Sequence, residues 1–162
     1  MQHKLRRQKK IFWLIAIVGV ICDQITKFLI VKNFPNLGDT LPLWKNVFHF
    51  TYVINTGAAF SFFQGQVEVL RWISLIVSLI LIIFVCASPR LSMLEQLGYG
   101  FILAGAIGNG IDRFLFGYVV DFLDFRLINF PVFNLADVAI NIGVLLLLIA
   151  AFATPEKPKS KM

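Results

Sequence analysis

The run IFWLIAIVGVICDQITKFLIV, residues 11–31, decides which solvent this chain is built for. About 20 mostly apolar residues in a helix cross a bilayer's hydrocarbon core, and here only Asp23 and Lys27 interrupt the run. They stand four residues apart, one above the other on a single helix face. Lys4, Arg6, Arg7, Lys9 and Lys10 precede the run, as in a secretory leader. No small-x-small cleavage site follows, however, and Ile21 ahead of Cys22 is too large for a lipoprotein processing site. The segment reads as a retained span.

Three more stretches have the same character, about 69–87, 95–116 and 132–153. Across the 162 residues, 58% of side chains are apolar and 15% charged, and mean hydropathy is +0.79. A soluble domain carries about 25% charged residues. The expected fold is an all-α, four-transmembrane-helix bundle, with residues 1–162 forming one membrane-embedded domain. The net charge of +6 lies mostly in the tails, where Lys157, Lys159 and Lys161 follow the last span. Neither tail interleaves aromatics as single-strand binders do, so the charge reads as a topology signal, not a nucleic-acid surface. Under the positive-inside rule both termini are cytoplasmic, with Arg90 in the inner loop and segments 32–68 and 117–131 outside. Cys22 and Cys86 then fall toward opposite ends of their spans, as small apolar fillers.

The first outer segment opens with turn chemistry, Pro35-Asn36-Leu37-Gly38-Asp39. From Val47 to Ile54 its β-branched and aromatic residues predict a short strand or hairpin. Residues 57–63 are apolar but too short to span, which predicts a stretch dipping into the interface.

Ionisable groups inside a bilayer are costly and mark function. Those here are Asp23, Lys27, Asp112, Arg113, Asp121 and Asp137. At 1.5 Å per residue, Asp23 lies about 18 Å from the inner start of its span. Asp112 ends the third span, Asp121 follows it, and Asp137 sits near the outer start of the fourth. Carboxylates from three spans and one loop thus reach one level. Asn134, Asp137 and Asn141 share a helix face by spacing, as do Asn109 and Asp112. Such stripes also serve to glue helices together, and an Asp23–Lys27 ion pair fits that role. Asp121 and Asp137 have no adjacent cation in sequence. Two close carboxylates share one proton, so one can activate water while the other protonates a carbonyl. That chemistry needs no metal and no cofactor.

Other chemistries are poorly supplied. Ser61 lacks a nucleophile-elbow glycine pattern, and His3 and His49 give no zinc spacing. Gly105, Gly108 and Gly110 suit close helix packing better than phosphate binding. A small proton-coupled transporter is the main rival, but the inner half of every span lacks acidic groups for a relay. A non-catalytic membrane scaffold is the other.

Five blocks in order carry a resemblance: Asp23-Gln24-Ile25-Thr26-Lys27, Asn55-Thr56-Gly57-Ala58-Ala59-Phe60, Gly108-Asn109-Gly110-Ile111-Asp112-Arg113, Val119-Val120-Asp121-Phe122 and Phe133-Asn134-Leu135-Ala136-Asp137. Over nearly its whole length the chain resembles the lipoprotein signal peptidases, or signal peptidase II. The resemblance implies an aspartyl endopeptidase of the bacterial cytoplasmic membrane, without metal or cofactor. Its substrates would be prolipoproteins, cut just before a diacylglyceryl-modified cysteine. It implies Asp121 and Asp137 as the catalytic pair, with Asn55, Asn109, Arg113 and Asn134 contacting substrate or organising the site. Asp23, Lys27 and Asp112 would be structural support. It also implies a small extracytoplasmic β-cradle and an interfacial helix within residues 33–67. Gly110 stands where many members carry a larger residue.

Overall fold

The computed structural model describes residues 9–57 and 63–153. Most of the interfacial stretch expected across 57–63, and most of both basic tails, lie outside the described residues.

Four helices carry the apolar runs. α1 (Lys10–Asn33) and α2 (Val67–Ala87) stop for the same reason. Each is followed by a residue in extended conformation, Phe34 or Ser88, and then by proline. The proline ring crowds the preceding residue out of helical geometry. α3 (Met93–Leu115) begins with a capping box in which Ser92 and Glu95 exchange hydrogen bonds, satisfying two donors that a helix start leaves open. α4 spans Leu135–Ala153.

α1, α2 and α4 are long and apolar enough to cross a membrane. α3 is equally long but diluted by glycines and by Gln96, Asn109, Asp112 and Arg113. It is also the helix against which α1, α2 and α4 pack. Its polar groups therefore face protein, whereas large apolar side chains such as Ile76, Ile80, Ile83 and Leu148 point outward. The bundle is inside-out relative to a soluble domain, as hydrocarbon solvent requires.

β1 (Thr40–Trp44) pairs antiparallel with β2 (Phe48–Asn55), Thr40 opposite Thr51; β2 is the strand expected over 47–54, and β1 lies outside that stretch. A third strand, β3 (Val119–Phe125), pairs with β2 to give the order β1-β2-β3. Extending the helical count past Asp112 would have placed Asp121 two turns further on. Instead the chain reverses at Gly117, whose φ of +77° lies where only glycine is comfortable. Asp121 thus enters a strand. A bulge between Phe50 and Val53 shifts the register so that Val53 faces Asp121. Ile30, Tyr52, Val120 and Phe122 form a buried cluster that fastens the sheet to the end of α1. Phe12, Ala16, Val85 and Leu103 close the opposite end of the bundle.

Candidate active site

Asp137 is placed by the start of its own helix. The Asn134 side chain accepts from the Asp137 backbone N–H at 3.0 Å, and the Asp137 carboxylate accepts from the Asn134 N–H at 3.2 Å. This is a capping box built from Asn and Asp. It leaves Asp137 Oδ1 free to take a hydrogen bond from Asn109 Nδ2 at 2.9 Å.

Asp121 is placed by the sheet and by the same asparagine. Its Oδ1 accepts from Asn134 Nδ2 at 2.6 Å and its Oδ2 from Asn55 Nδ2 at 2.8 Å. Asn134 therefore holds one oxygen of each carboxylate, and it is fully buried. Asp121 is 1% exposed. Burial raises its carboxyl to about 7, the charge of Asp137 adds to the rise, and the hydrogen bonds from Asn55 and Asn134 oppose it. Among the described residues, no ion pair joins either aspartate to a cation.

Behind this pair lies a second cluster. Lys27 Nζ meets Asp23 Oδ2 at 2.9 Å, Asp112 Oδ2 at 2.9 Å and Asn109 Oδ1 at 3.0 Å. Its three donors thus have three acceptors, which is what a buried ammonium needs. The carboxylates are spent as well. Asp23 Oδ1 accepts from the Ala136 N–H at 3.0 Å, so α1 caps the start of α4. Asp112 accepts from the Val120 N–H at 3.2 Å and from Gln24 Nε2 at 3.0 Å. Space here is tight: a Cβ on Gly108 would come 2.5 Å from Asp23 Oδ2.

Asn55, Asn109, Arg113, Asp121 and Asp137 line one cavity of about 980 Å³. Asn134, Asp23, Lys27 and Asp112 stand behind its wall, buried. The residues singled out in the sequence thus divide into a lining and a support. Three contributors were not singled out: Gln24, the Gly57 carbonyl, which accepts from Arg113 Nη2 at 3.2 Å, and Ser74 of α2, which accepts from Arg113 Nη1 at 3.3 Å. Gln24 sits inside a quoted block. Ser74 had a faint signal, a serine pair four apart with Ser78 in an otherwise apolar helix.

Chemically, the lining offers two neighbouring carboxylates, one of them with its pKa raised by burial and by the other's charge. Three carboxamides orient them. Among the described residues the lining holds no cysteine, and its one serine, Ser74, is engaged by Leu70 O and Arg113.

Comparison with known proteins agrees with this chemistry. The family model described as signal peptidase (SPase) II matches residues 15–153. A lipoprotein signal peptidase of Gloeothece citriformis (strain PCC 7424) is 63% identical over 157 residues, covering 97% of each chain. That of Microcystis aeruginosa is 64% identical, covering 90% of this chain and 94% of its own. A solved bacterial membrane enzyme superposes with a TM-score of 0.81 at 34% identity, covering 92% of both chains. By the family model over residues 15–153 and by relatives at 63–64% identity, this chain belongs to the signal peptidase II family of aspartic peptidases.

Proposed function

We propose that Asp121 and Asp137 are the catalytic pair of this lipoprotein signal peptidase. The observation that carries the reading is that Asn134 binds one oxygen of each carboxylate while, among the described residues, no ion pair reaches either. Two carboxyls so placed share a proton. The ionised one takes a proton from water as its oxygen attacks the scissile carbonyl. The protonated one donates to the carbonyl oxygen. When the tetrahedral intermediate collapses, the C–N bond breaks, the leaving amine receives the proton held by the first carboxyl, and a hydroxyl of the new acid returns its proton to the second as C=O re-forms. Asn55, Asn109 and Asn134 keep the oxygens aimed, which is positioning catalysis. Arg113 contacts the substrate backbone or holds the lining. Asp23, Lys27 and Asp112 are the support that fixes α1, α3 and α4 in register.

The protein is a multi-pass protein of the inner membrane, in which α3 joins α1, α2 and α4 as a span and residues 1–162 form one domain. Both termini face the cytoplasm and the sheet end lies outside, with the sheet as the cradle. Reporter fusions at residues 40 and 125 should therefore read outside, and those at residue 92 and the C-terminus inside.

The substrate is a prolipoprotein with a diacylglyceryl-modified cysteine, and the peptide bond before that cysteine is cut. Leu70, Ile73 and Val77 of α2 face Ile140 and Ile142 of α4 across the cavity. This apolar cleft suits the leader helix and acyl chains arriving from the lipid, and no nucleic acid is involved. The test uses purified protein in detergent with one prolipoprotein, made with and without its diacylglyceryl group, and with excess EDTA present. Cleavage before the cysteine of the lipidated form alone is expected. Equal cleavage of both forms overturns the substrate assignment. Loss in EDTA that zinc or magnesium restores turns the aspartates into metal ligands.

A further inference from the structure

α2 supplies no member of the aspartate site, yet it grips that site at two points. Arg71 Nε donates to the Arg113 carbonyl at 3.1 Å. This carbonyl belongs to the last turn of α3, where no helical partner remains. The Arg71 guanidinium also pairs with Glu68 at 2.8 Å and lies over the Phe114 ring, which holds it in place. The second grip is Ser74, nine-tenths buried. Its hydroxyl donates to Leu70 O at 2.9 Å, so its lone pairs are left to accept from Arg113 Nη1 at 3.3 Å. The approach is possible because Gly110 stands opposite: a Cβ there would come 3.2 Å from the Ser74 Cβ.

From Arg113 the chain of bonds runs on to the carboxylates. Arg113 Nη2 donates to Gly57 O, the Gly57 N–H donates to Asn55 Oδ1 at 2.8 Å, and Asn55 Nδ2 donates to Asp121. Every link is a directed hydrogen bond, and each donor or acceptor is buried or partly so. We propose that Ser74 and Arg71 are positioning residues for the peptidase reaction: by fixing the Arg113 guanidinium and carbonyl, they aim Asn55 and hence Asp121. The proposal rests on the assignment of Asp121 to the reaction. It adds that α2, a wall of the substrate cleft, is mechanically tied to the carboxylate on the opposite wall.

The test is steady-state turnover of a lipidated prolipoprotein by purified variants in detergent. Ser74→Ala removes only the hydroxyl and leaves the helix packing intact. A hydrogen bond to a charged group is lost, so kcat should fall about tenfold, with KM and thermal midpoint little changed. Ser74→Thr, which restores a hydroxyl, should recover most of the rate. In an Arg113→Gln background, Ser74→Ala should add almost nothing, because the residue it acts through is gone. Arg71→Met should behave like Ser74→Ala toward kcat and also lower the midpoint. Unchanged kcat in Ser74→Ala, or the same tenfold loss in the Arg113→Gln background, overturns the proposal. The parallel variants Asp121→Asn and Asp137→Asn keep the two readings apart. If those are inactive while Ser74→Ala is native-like, only the positioning role fails; if they are active, the catalytic assignment fails first.

Discussion

The molecule holds two aspartate pairs built from nearly the same parts and wired to opposite ends, with Asp23, Asp112 and Asp121 buried and Asp137 half-buried. Asp23 and Asp112 share Lys27 between them, and each also accepts a backbone N–H from an element it supports. Asp121 and Asp137 share Asn134 instead, with Asn55 and Asn109 on their outer oxygens. Asn109 touches both clusters, accepting from Lys27 and donating to Asp137. Lys27 offsets one of the two charges of the first pair and bonds to both carboxylates, which suits a structural role. Uncharged amides orient the second pair, and among the described residues no ion pair reaches it. On the proposed assignment, this difference in one central residue separates a scaffold pair from a reacting pair.

The largest effect that would break the comparison is in the amide-held pair. Asp121→Asn and Asp137→Asn should each cut turnover of lipidated substrate by about 10²–10⁴-fold, the usual worth of a general acid or base. The double variant should be little worse than either, since the two act as one unit. All three should remain folded, because the amide keeps the shape of the side chain and one of its two acceptor oxygens. Near-native rates in both single variants would make this pair a second scaffold.

In the cation-held pair the effect should appear in stability. Lys27→Met leaves two buried carboxylates without their counter-charge, a change that costs about 3–5 kcal/mol where a buried pair is broken. Thermal unfolding in detergent should show it. Asp23→Asn should cost less than Lys27→Met, because Lys27 keeps Asp112 and Asn109 as acceptors. A Lys27→Met variant that melts with the wild type would mean the charges are compensated from elsewhere.

The smallest effect sharpens the contrast through pH. The Asp121 carboxyl is raised from 3.8 to about 7 in the folded protein. The folded state then binds more protons than the unfolded state between those values. Stability from this group is greatest at low pH and falls as pH rises from about 4 to 7. Measured against Asp121→Asn across that range, the wild type should lose relative thermal stability as pH rises. In Asp137→Asn the neighbouring charge that adds to the rise is removed, so the same loss should end at a lower pH. A difference between wild type and Asp121→Asn that stays flat from pH 4 to 8 would mean the carboxyl titrates in its ordinary range. Turnover should be bell-shaped in pH, with both limbs belonging to the pair.

Much of this protein is local and so was written in the chain itself. The apolar runs became helices α1 to α4 within a few residues of the expected bounds, because hydrophobic length and proline stops act over neighbouring residues. The block Asn134-Leu135-Ala136-Asp137 encodes its own capping box, so the orientation of Asp137 follows from four consecutive residues. The spacing of Asp23 and Lys27 likewise foretold their ion pair. What the chain could not display was pairing across distance. Asp121 sits on a strand because β3 finds β2 some 66 positions earlier, and residues 119–125, read alone, carry no alternation that separates a strand from an apolar loop. Lys27 serves two aspartates only because α3 packs beside α1, and the α2 grip on Arg113 exists only because Gly110 lets two helices close. Composition and periodicity report each element's own solvent and neighbours along the chain. Which side chains meet depends on helix packing and strand register, and those are settled only when the whole bundle assembles.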